Sequence, residues 1–574
     1  MLSRFPFISV SRFLPFLLLA LCAIARAAPL ADSPGAAAIA SAHPRATEAG
    51  FDVLAAGGNA FDAAVAVSVA LAVVEPYSSG IGGGGFWLLH VADEKRDVMV
   101  DGRERAPLAA HRDMYLDDAG NVIPGASMNG PLAAGIPGEP AALVHLAEKY
   151  GRLPLARSLA PAIRLAREGF EVDAHYRRMA AFRKDVLLES EAAARIFLRD
   201  GEVPAEGTVI RQPELADTLQ ALAEQGWGGF YAGEVADRLV AGVRAAGGIW
   251  TQRDLDEYQV IEREPVRGEY HGMRITSAAP PSSGGIALVT MLNILEGYEL
   301  RTLGEVERTH LIVEAMRRAY RDRAVYLGDT DFVEVPVAML TSPHYAAGLR
   351  NGIRRDQATP SDSLPGPEAL GGGNHTTHFS ILDREGNRVA ATLSINYPFG
   401  AGFVVPGTGV LLNDEMDDFS AKPGVPNAYG LVGTEANAIA PGKRMLSSMS
   451  PTFVETDDRV GILGTPGGSR IITMVLHGIL DFAAGKPPQD WVGEPRFHHQ
   501  YLPDAIQFEP EAFDGEMQLH LEEMGHALKP LDRPYGNMQA ILWNRATGEV
   551  RAASDPRGVG KALIEQSAGR VTLR

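Results

Sequence analysis

Thr376 stands behind a run of three glycines, Gly371 to Gly373, and the pair Asn374-His375. A threonine hydroxyl is almost never ionised near neutral pH and becomes a nucleophile only with a base beside it. If the chain is cut directly before a threonine, the new α-amino group can be that base, with an unperturbed pKa of about 7.7–8.0. It is then held a few bonds from the hydroxyl, so proximity is built into one residue. The glycines leave the chain able to bring the Thr376 hydroxyl onto the carbonyl of His375, and His375 and Thr376 would flank the bond that breaks. The same stretch also reads as a flexible loop entering a strand, and taken by itself it favours that plainer reading.

The elements around Thr376 must position it. Thr376 to Leu382 (TTHFSIL) has strand composition, Asp383 to Asn387 is a turn, and Arg388 to Asn396 (RVAATLSIN) is a second strand, together a hairpin. A turn centred on Glu385 places Thr376 opposite Ser394; a slip of one residue would flip the strand's faces. Before the hairpin, Asp356 to Gly373 is rich in Pro, Gly, Ser and Asp and reads as an exposed, mobile linker. Further upstream, Asn59 caps an apolar helix that ends before Pro76. It is apolar nearly all round and therefore buried, while Asp62 and its short length argue against a membrane span. Gly80 to Gly85 (GIGGGG) then opens a strand, Phe86 to Val91. That run lacks GxxxxGK[ST] and precedes a strand instead of a helix, which rejects nucleotide binding; close backbone approach in a packed site suits it better. Residues 138–245 read as helical. Ala279 to Gly285 is a turn-rich loop feeding another apolar helix, and residues 305–327 read as an amphipathic helix with many arginines. Arg496-Phe497-His498-His499 has no HExxH-like spacing, so these histidines read as structural and no metal site is expected.

The 574 residues allow a large core and, by length, two or more domains, and 46% hydrophobic with 22% charged residues is an ordinary soluble balance. The net charge of −18 disfavours nucleic acid or an anionic membrane as partner. Arg4 and Arg12, the apolar run Phe13 to Ile24 and Ala25-Arg26-Ala27 read as a signal peptide over residues 1–27. The run is too short to span a bilayer comfortably. The expected mature protein is therefore periplasmic or secreted, without a membrane segment. Its one cysteine, Cys22, leaves with the signal, which excludes disulfides and cysteine-bound metals.

Several blocks together resemble the signature blocks of the γ-glutamyltransferases. They are Thr376-Thr377-His378, Leu412 to Ser420 (LNDEMDDFS), Leu446 to Pro451 (LSSMSP) and Pro466 to Arg470 (PGGSR), with Gly80 to Phe86, Asp101 to Glu104 (DGRE), Pro281 to Gly285 and Ala553 to Arg557 (ASDPR). Single blocks are weak, but they run in order over almost the whole mature chain. The resemblance implies an α+β fold, the four-layer αββα sandwich of the N-terminal-nucleophile hydrolases. It would be built from both subunits of one autocleaved precursor, residues 28–375 as the large and 376–574 as the small subunit, which stay together as a heterodimer. No cofactor is implied. The family cleaves γ-glutamyl amides such as glutathione through a covalent γ-glutamyl-threonine and passes the group to water, an amino acid or a peptide.

Carried onto this sequence, the resemblance makes Thr376 the nucleophile and Ser394 the second hydroxyl residue, usually threonine, that hydrogen-bonds it. Serine keeps the donor and acceptor but loses the methyl that restricts the rotamer. Arg103 matches the arginine that grips the substrate α-carboxylate, assisted by Ser447 and Ser448. Asn396, Glu415 and Asp418 match the groups that hold the α-ammonium, and Gly467 and Gly468 match the oxyanion hole. Ala421 to Thr434 resembles a lid loop with Tyr429 as its closing aromatic. Singly, each residue has an ordinary reading; together they supply every charge a zwitterionic substrate needs. The alternatives are a related amidase, cephalosporin-acylase-like or oxamate-hydrolase-like, and an exported binding protein that never matures.

Overall fold

The hairpin around Glu385 forms in the expected register. Thr377 lies opposite Leu393 and Leu382 opposite Arg388, so one more step sets Thr376 across from Ser394. The turn is held by Asp383, whose Oδ1 accepts from the backbone N–H of Glu385 at 2.9 Å and of Asn387 at 3.0 Å. A computed structural model of the chain describes residues 30–31, 33–365, 376–565 and 571–573. The export segment 1–27 with Cys22, and Gly371 to His375 with the expected cleavage-site residue His375, lie outside the described residues.

The hairpin sits inside an eight-stranded antiparallel sheet. Across it run β14 (Val571–Leu573), β13 (Lys561–Glu565), β1 (Ala38–Ser41), β7 (Thr377–Leu382), β8 (Arg388–Ser394), β2 (Gly84–Val91), β3 (Arg96–Gly102) and β4 (Ile261–Arg263). A six-stranded antiparallel sheet runs β12 (Val550–Ser554), β11 (Gln539–Asn544), β10 (Arg459–Gly464), β9 (Thr452–Glu455), β6 (Met273–Ser277), β5 (Val266–Tyr270). Both sheets draw strands from before and after Thr376, so a cut at that residue would leave them interleaved.

The two-residue strand period sorts side chains into two cores. Trp87, Leu89, Phe379, Ile381, Val389 and Leu393 face one core, with α1 (Pro44–Ala55), α2 (Ala60–Val74) and α3 (Glu139–Lys149) among the helices that cover it. Phe86, Leu88, Leu382 and Ala390 face the other, shared with the six-stranded sheet and with α4 (Gly284–Leu295), α5 (Glu305–Tyr326) and α6 (Ile471–Ala483). The layers are therefore helix, sheet, sheet, helix. Even-numbered positions of β7 look toward the second sheet: Ser380 Oγ donates to the Gln539 carbonyl of β11 at 3.1 Å. Thr376 shares that parity. Thr377 points the other way, and its Oγ1 donates to Glu75 Oε2 at 2.8 Å, just beyond the end of α2.

The apolar helix α2 is buried along its whole length. Asn59 Oδ1 accepts from the N–H groups of Phe61 and Asp62 while Asp62 accepts from the N–H of Asn59, a reciprocal cap that satisfies donors no water could reach. Each of its valines removed from water contributes roughly 1.5–3 kcal/mol.

Two expectations fail. The helix over 305–327, α5, is not amphipathic: Arg317, Arg318 and Arg323 are buried. Glu314, one turn back, pairs with Arg317 and Arg318, so helical charge spacing here serves the interior. The start of the linker is also anchored. Ser361 is buried, its N–H donates to Asp504 Oδ2 at 2.7 Å and its Oγ accepts from Arg317 at 2.6 Å.

Candidate active site

Nine of the expected residues line one small cavity: Thr376, Ser394, Asn396, Glu415, Asp418, Tyr429, Ser447, Ser448 and Gly468. Leu431, Met449 and Ile471 complete its wall. Thr376 immediately precedes β7 and Ser394 ends β8, which brings both hydroxyls to one end of the inter-sheet layer. Arg103 and Gly467 stand just outside the lining.

Asn396 follows β8 with φ +72°, a left-handed conformation that asparagine tolerates better than most residues. Its N–H donates to Ser394 Oγ at 2.7 Å and its Nδ2 to the Asp414 carbonyl at 2.9 Å, leaving the side-chain carbonyl as an acceptor. Asn413 folds the acidic segment into place: its Oδ1 accepts from the N–H of Glu415 at 3.0 Å and its Nδ2 donates to the carbonyls of Gly82 and Gly135. The glycine run earns its close-approach reading here, since a Cβ on Gly82 would lie 2.0 Å from the Leu411 carbonyl oxygen. The segment then turns through Glu415–Asp418 as a short 3-10 helix, so Glu415 and Asp418 reach the cavity.

Arg103 lies at the end of β3 and is completely buried. Its Nη1 donates to Glu415, its Nη2 to Asp418 Oδ2 at 2.6 Å and its Nε to the Met445 carbonyl at 3.3 Å. The resemblance assigns the arginine and the two acids to opposite ends of a ligand; in the structure they are paired with each other. The acids are not freely solvated, as their DEMDD setting suggests in isolation: Glu415 is buried and the Asp418 side chain is only 12% exposed. Burial pushes Glu415 up to about 7 against the pull of Arg103, and raises Asp418 as well. Burial would lower Arg103, but Glu415, Glu104 and Asp418 more than offset it and keep it charged.

Ser447 and Ser448 sit on a loop strapped to the Pro281–Gly285 turn. The Ser447 N–H donates to the Pro281 carbonyl and the Ser283 N–H to the Ser447 carbonyl, both at 2.8 Å. Gly467 (φ +148°) and Gly468 (φ +55°) adopt conformations that disfavour any side chain. They lead through the 3-10 turn Gly468–Arg470 directly into α6, so their N–H groups sit at the positive end of a helix. The loop Ala421 to Thr434 is drawn over the cavity. Tyr429 Oη donates to the Asn396 carbonyl at 2.7 Å, Asn427 Nδ2 to Asp418 Oδ1 at 3.2 Å, and the Ala428 N–H to Asp417 Oδ2 at 2.8 Å.

Sequence reasoning missed Arg323 and the contacts that Ser283 makes with it and with Ser447. Arg323 donates to both Ser283 Oγ and Ser448 Oγ, yet nothing in its spacing separates it from the other arginines of α5. His498 and His499 are buried and hydrogen-bonded, to Thr473 and Gln500 and to Asp504 respectively, the structural setting expected of them. Among the described residues, His310, Glu314 and His526 bring donor atoms within 4.8 Å of one another. Glu314 is already paired with Arg317 and Arg318, whose charges oppose a metal ion, and none of the three lines the cavity.

The family model described as gamma-glutamyltranspeptidase matches residues 46–564. The chain belongs to the γ-glutamyltranspeptidase family. It is 45% identical over 536 residues to a glutathione hydrolase proenzyme of Pseudomonas sp. (strain A14), covering 90% of this chain and 92% of that one. Among solved structures, a cephalosporin acylase from Bacillus halodurans superposes with TM-score 0.81 at 29% identity, over 97% of this chain and 98% of that one. The Helicobacter pylori gamma-glutamyltranspeptidase gives TM-score 0.56 at 42% identity, over 57% of this chain and 94% of that one. The family membership makes this chain an enzyme of γ-glutamyl transfer and hydrolysis, which removes the binding-protein alternative.

Proposed function

We propose that Thr376 carries this γ-glutamyl chemistry after the precursor cuts itself between His375 and Thr376 into residues 28–375 and 376–574. The carrying observation is that one small cavity gathers Thr376 with hydroxyls, carboxylates and the Gly468 backbone. The Thr376 α-amino group takes the proton of its own Oγ as Oγ attacks the γ-carbonyl carbon of the donor. The Gly467 and Gly468 N–H groups receive the developing oxyanion. Its collapse breaks the C–N bond, the proton passes to the leaving amine, and a γ-glutamyl-threonine ester remains. Water or the amine of an amino acid or peptide then attacks that ester, losing a proton to the same α-amino group and freeing Thr376. Glutathione and related γ-glutamyl compounds are the donors, and the reaction uses no cofactor.

The pairing of Arg103 with Glu415 and Asp418 leaves the acids in excess by one charge, which suits a cationic ammonium. On binding, the α-ammonium of the donor takes over the two carboxylates with the Asn396 carbonyl, while Arg103, Ser447 and Ser448 turn to the α-carboxylate. Closure of Tyr429 shields the ester from bulk water. The relative from Pseudomonas is named a proenzyme, in keeping with a self-cut precursor, and the signal-like residues 1–27 support a periplasmic or secreted mature heterodimer.

The acylase likeness motivates a second reading, in which the acyl group is glutaryl. A glutaryl donor carries no α-ammonium, so Glu415 and Asp418 would face an uncharged methylene, a costly placement for buried carboxylates. The decisive experiment is the N-terminal sequence of the smaller fragment together with hydrolysis rates for γ-glutamyl and glutaryl anilides. A fragment beginning Thr-Thr-His-Phe-Ser with preference for γ-glutamyl is expected. An uncut chain sinks the Thr376 assignment, and preference for glutaryl sinks the γ-glutamyl one.

A further inference from the structure

Most buried arginines among the described residues pair with carboxylates: Arg103 with Glu415, Arg317 with Glu314, Arg388 with Glu455, Arg496 with Asp555. Arg183 instead donates to the carbonyls of Pro398, Met128 and Gly400, and Arg323 on α5 has neither kind of partner. It is 5% exposed, and its hydrogen-bond partners among the described residues are hydroxyls alone, Ser283 Oγ on Nε at 3.0 Å and Ser448 Oγ on Nη2 at 3.2 Å. Among the described residues no carboxylate forms an ion pair with it, and Asp418 acts on it only through space. A charge taken out of water without a counter-ion is costly, so the arrangement is incomplete until an anion arrives.

The serines show where that anion would sit. Ser448 Oγ accepts from Arg323, and Ser447 Oγ accepts from the Met449 N–H at 3.0 Å. A hydroxyl has one proton and two lone pairs. With a lone pair of each oxygen engaged, and no protein acceptor for either proton among the described residues, both protons are available to an acceptor in the cavity that Ser447 and Ser448 line. Ser283 extends the chain of contacts: its Oγ accepts from Arg323 and donates to the Ser447 carbonyl at 2.7 Å. One guanidinium therefore braces both serines, one through its hydroxyl and the other through its backbone.

We propose that Arg323 is the positioning and specificity residue for the donor α-carboxylate, orienting the Ser447–Ser448 loop as a pair of hydroxyl donors and supplying a positive charge behind it. The proposal rests on the γ-glutamyl reading above. It differs from direct contact by Arg103, because Arg323 acts through the serines and does not line the cavity. The consequence is selection: donors ionised at the α-position bind well, and neutral donors of the same shape do not.

The test compares kcat and KM for a γ-glutamyl anilide and for its α-carboxamide, which keeps the shape and loses the charge. In Arg323→Gln the KM for the α-carboxylate donor should rise about ten-fold or more, the size of one lost charge-assisted hydrogen bond. The α-carboxamide should change little, and kcat should stay within about three-fold, so discrimination between the two donors collapses. Arg323→Lys keeps the charge but cannot fork to two hydroxyls, and should recover part of the discrimination. A residue that only supports the fold would lower both donors alike, and equal losses overturn the proposal. If Arg323→Gln does not accumulate in mature form, Arg323→Lys and Ser283→Ala give the same ratio, and an unchanged ratio in both is equally fatal. Wild-type enzyme that cleaves neither donor would instead sink the γ-glutamyl reading itself.

Discussion

The ring of Tyr429 rests on the backbone of Gly468: a Cβ added to Gly468 would lie 2.5 Å from Tyr429 Cδ1. The lid and the proposed oxyanion donor are therefore in direct contact, and the absence of a side chain at Gly468 is what allows the lid to close.

Gly468→Ala should consequently damage two things at once. The methyl must displace Tyr429, and the φ of +55° must relax, moving an N–H away from the oxyanion. Loss of one such donor lowers kcat by about 10²–10³-fold. Tyr429→Ala removes the lid contact alone and should act mainly on KM and on the share of donor lost to water. Steady-state kinetics on a γ-glutamyl anilide separates the two variants; equal kcat values would mean that Gly468 serves only the lid.

Thr376→Ala should remain one chain on a denaturing gel and be inactive, because the same hydroxyl is assigned to the cut and to catalysis. Arg103→Lys should still be cut, but a lysine ammonium cannot meet Glu415 and Asp418 together as the guanidinium fork does. Its KM for γ-glutamyl donors should rise about ten-fold or more. A Thr376→Ala protein that still split before this residue would overturn the self-cleavage assignment.

The pH dependence follows from two groups. The Thr376 α-amino group must be neutral to take the hydroxyl proton, with an ordinary pKa of about 7.7–8.0. Glu415 must be ionised to hold an ammonium, and burial has pushed it up to about 7. Because its folded value lies above the unfolded one, the neutral form is favoured as pH falls, and binding weakens on the acid side. The acid limb of log kcat/KM, which reports the free enzyme, should therefore approach a slope of about two. Glu415→Gln should reduce it to about one at a lower overall rate. A slope of one in the wild type would show that only a single group titrates.

The hairpin register was legible because turn residues and the two-residue period both centre on Glu385, and the structure keeps that centre to within the last paired residue. The buried helix α2 was legible because its composition leaves no polar face. The expected site residues were legible as spatial neighbours, since nine of them line one cavity. What local pattern could not carry was pairing across the chain. Arg103 and Glu415 are 312 positions apart, and only the fold shows that they pair with each other. The arginines of α5 misled for a related reason: charge at helical spacing reads as a wet face, whereas Glu314 and the serine loop supply partners from inside. The linker misled because composition reports flexibility but not the Asp504 and Arg317 contacts that hold Ser361.

The Ala553–Arg557 block, recognised only as a signature, has a physical role that stability measurements can isolate. Asp555 Oδ2 accepts from Arg496 Nη2 at 2.6 Å and from the Met538 N–H at 3.0 Å, with both ion-pair partners buried. Burial alone would raise the Asp555 carboxyl, but Arg496 and Arg557 pull it below the usual range. Removing one partner of a buried pair leaves the other uncompensated, at a cost of about 3–5 kcal/mol. Asp555→Asn should thus unfold at markedly lower denaturant, best measured in the Thr376→Ala background, where the chain stays whole and unfolding is not complicated by subunit loss. The folded value is depressed, so the stabilisation is present above the unfolded pKa of about 3.9 and is lost as pH falls through the folded value. The gap between Asp555→Asn and its parent should therefore be widest near neutral pH and close under acid. A gap that persisted unchanged at acid pH would assign the loss to packing instead of charge.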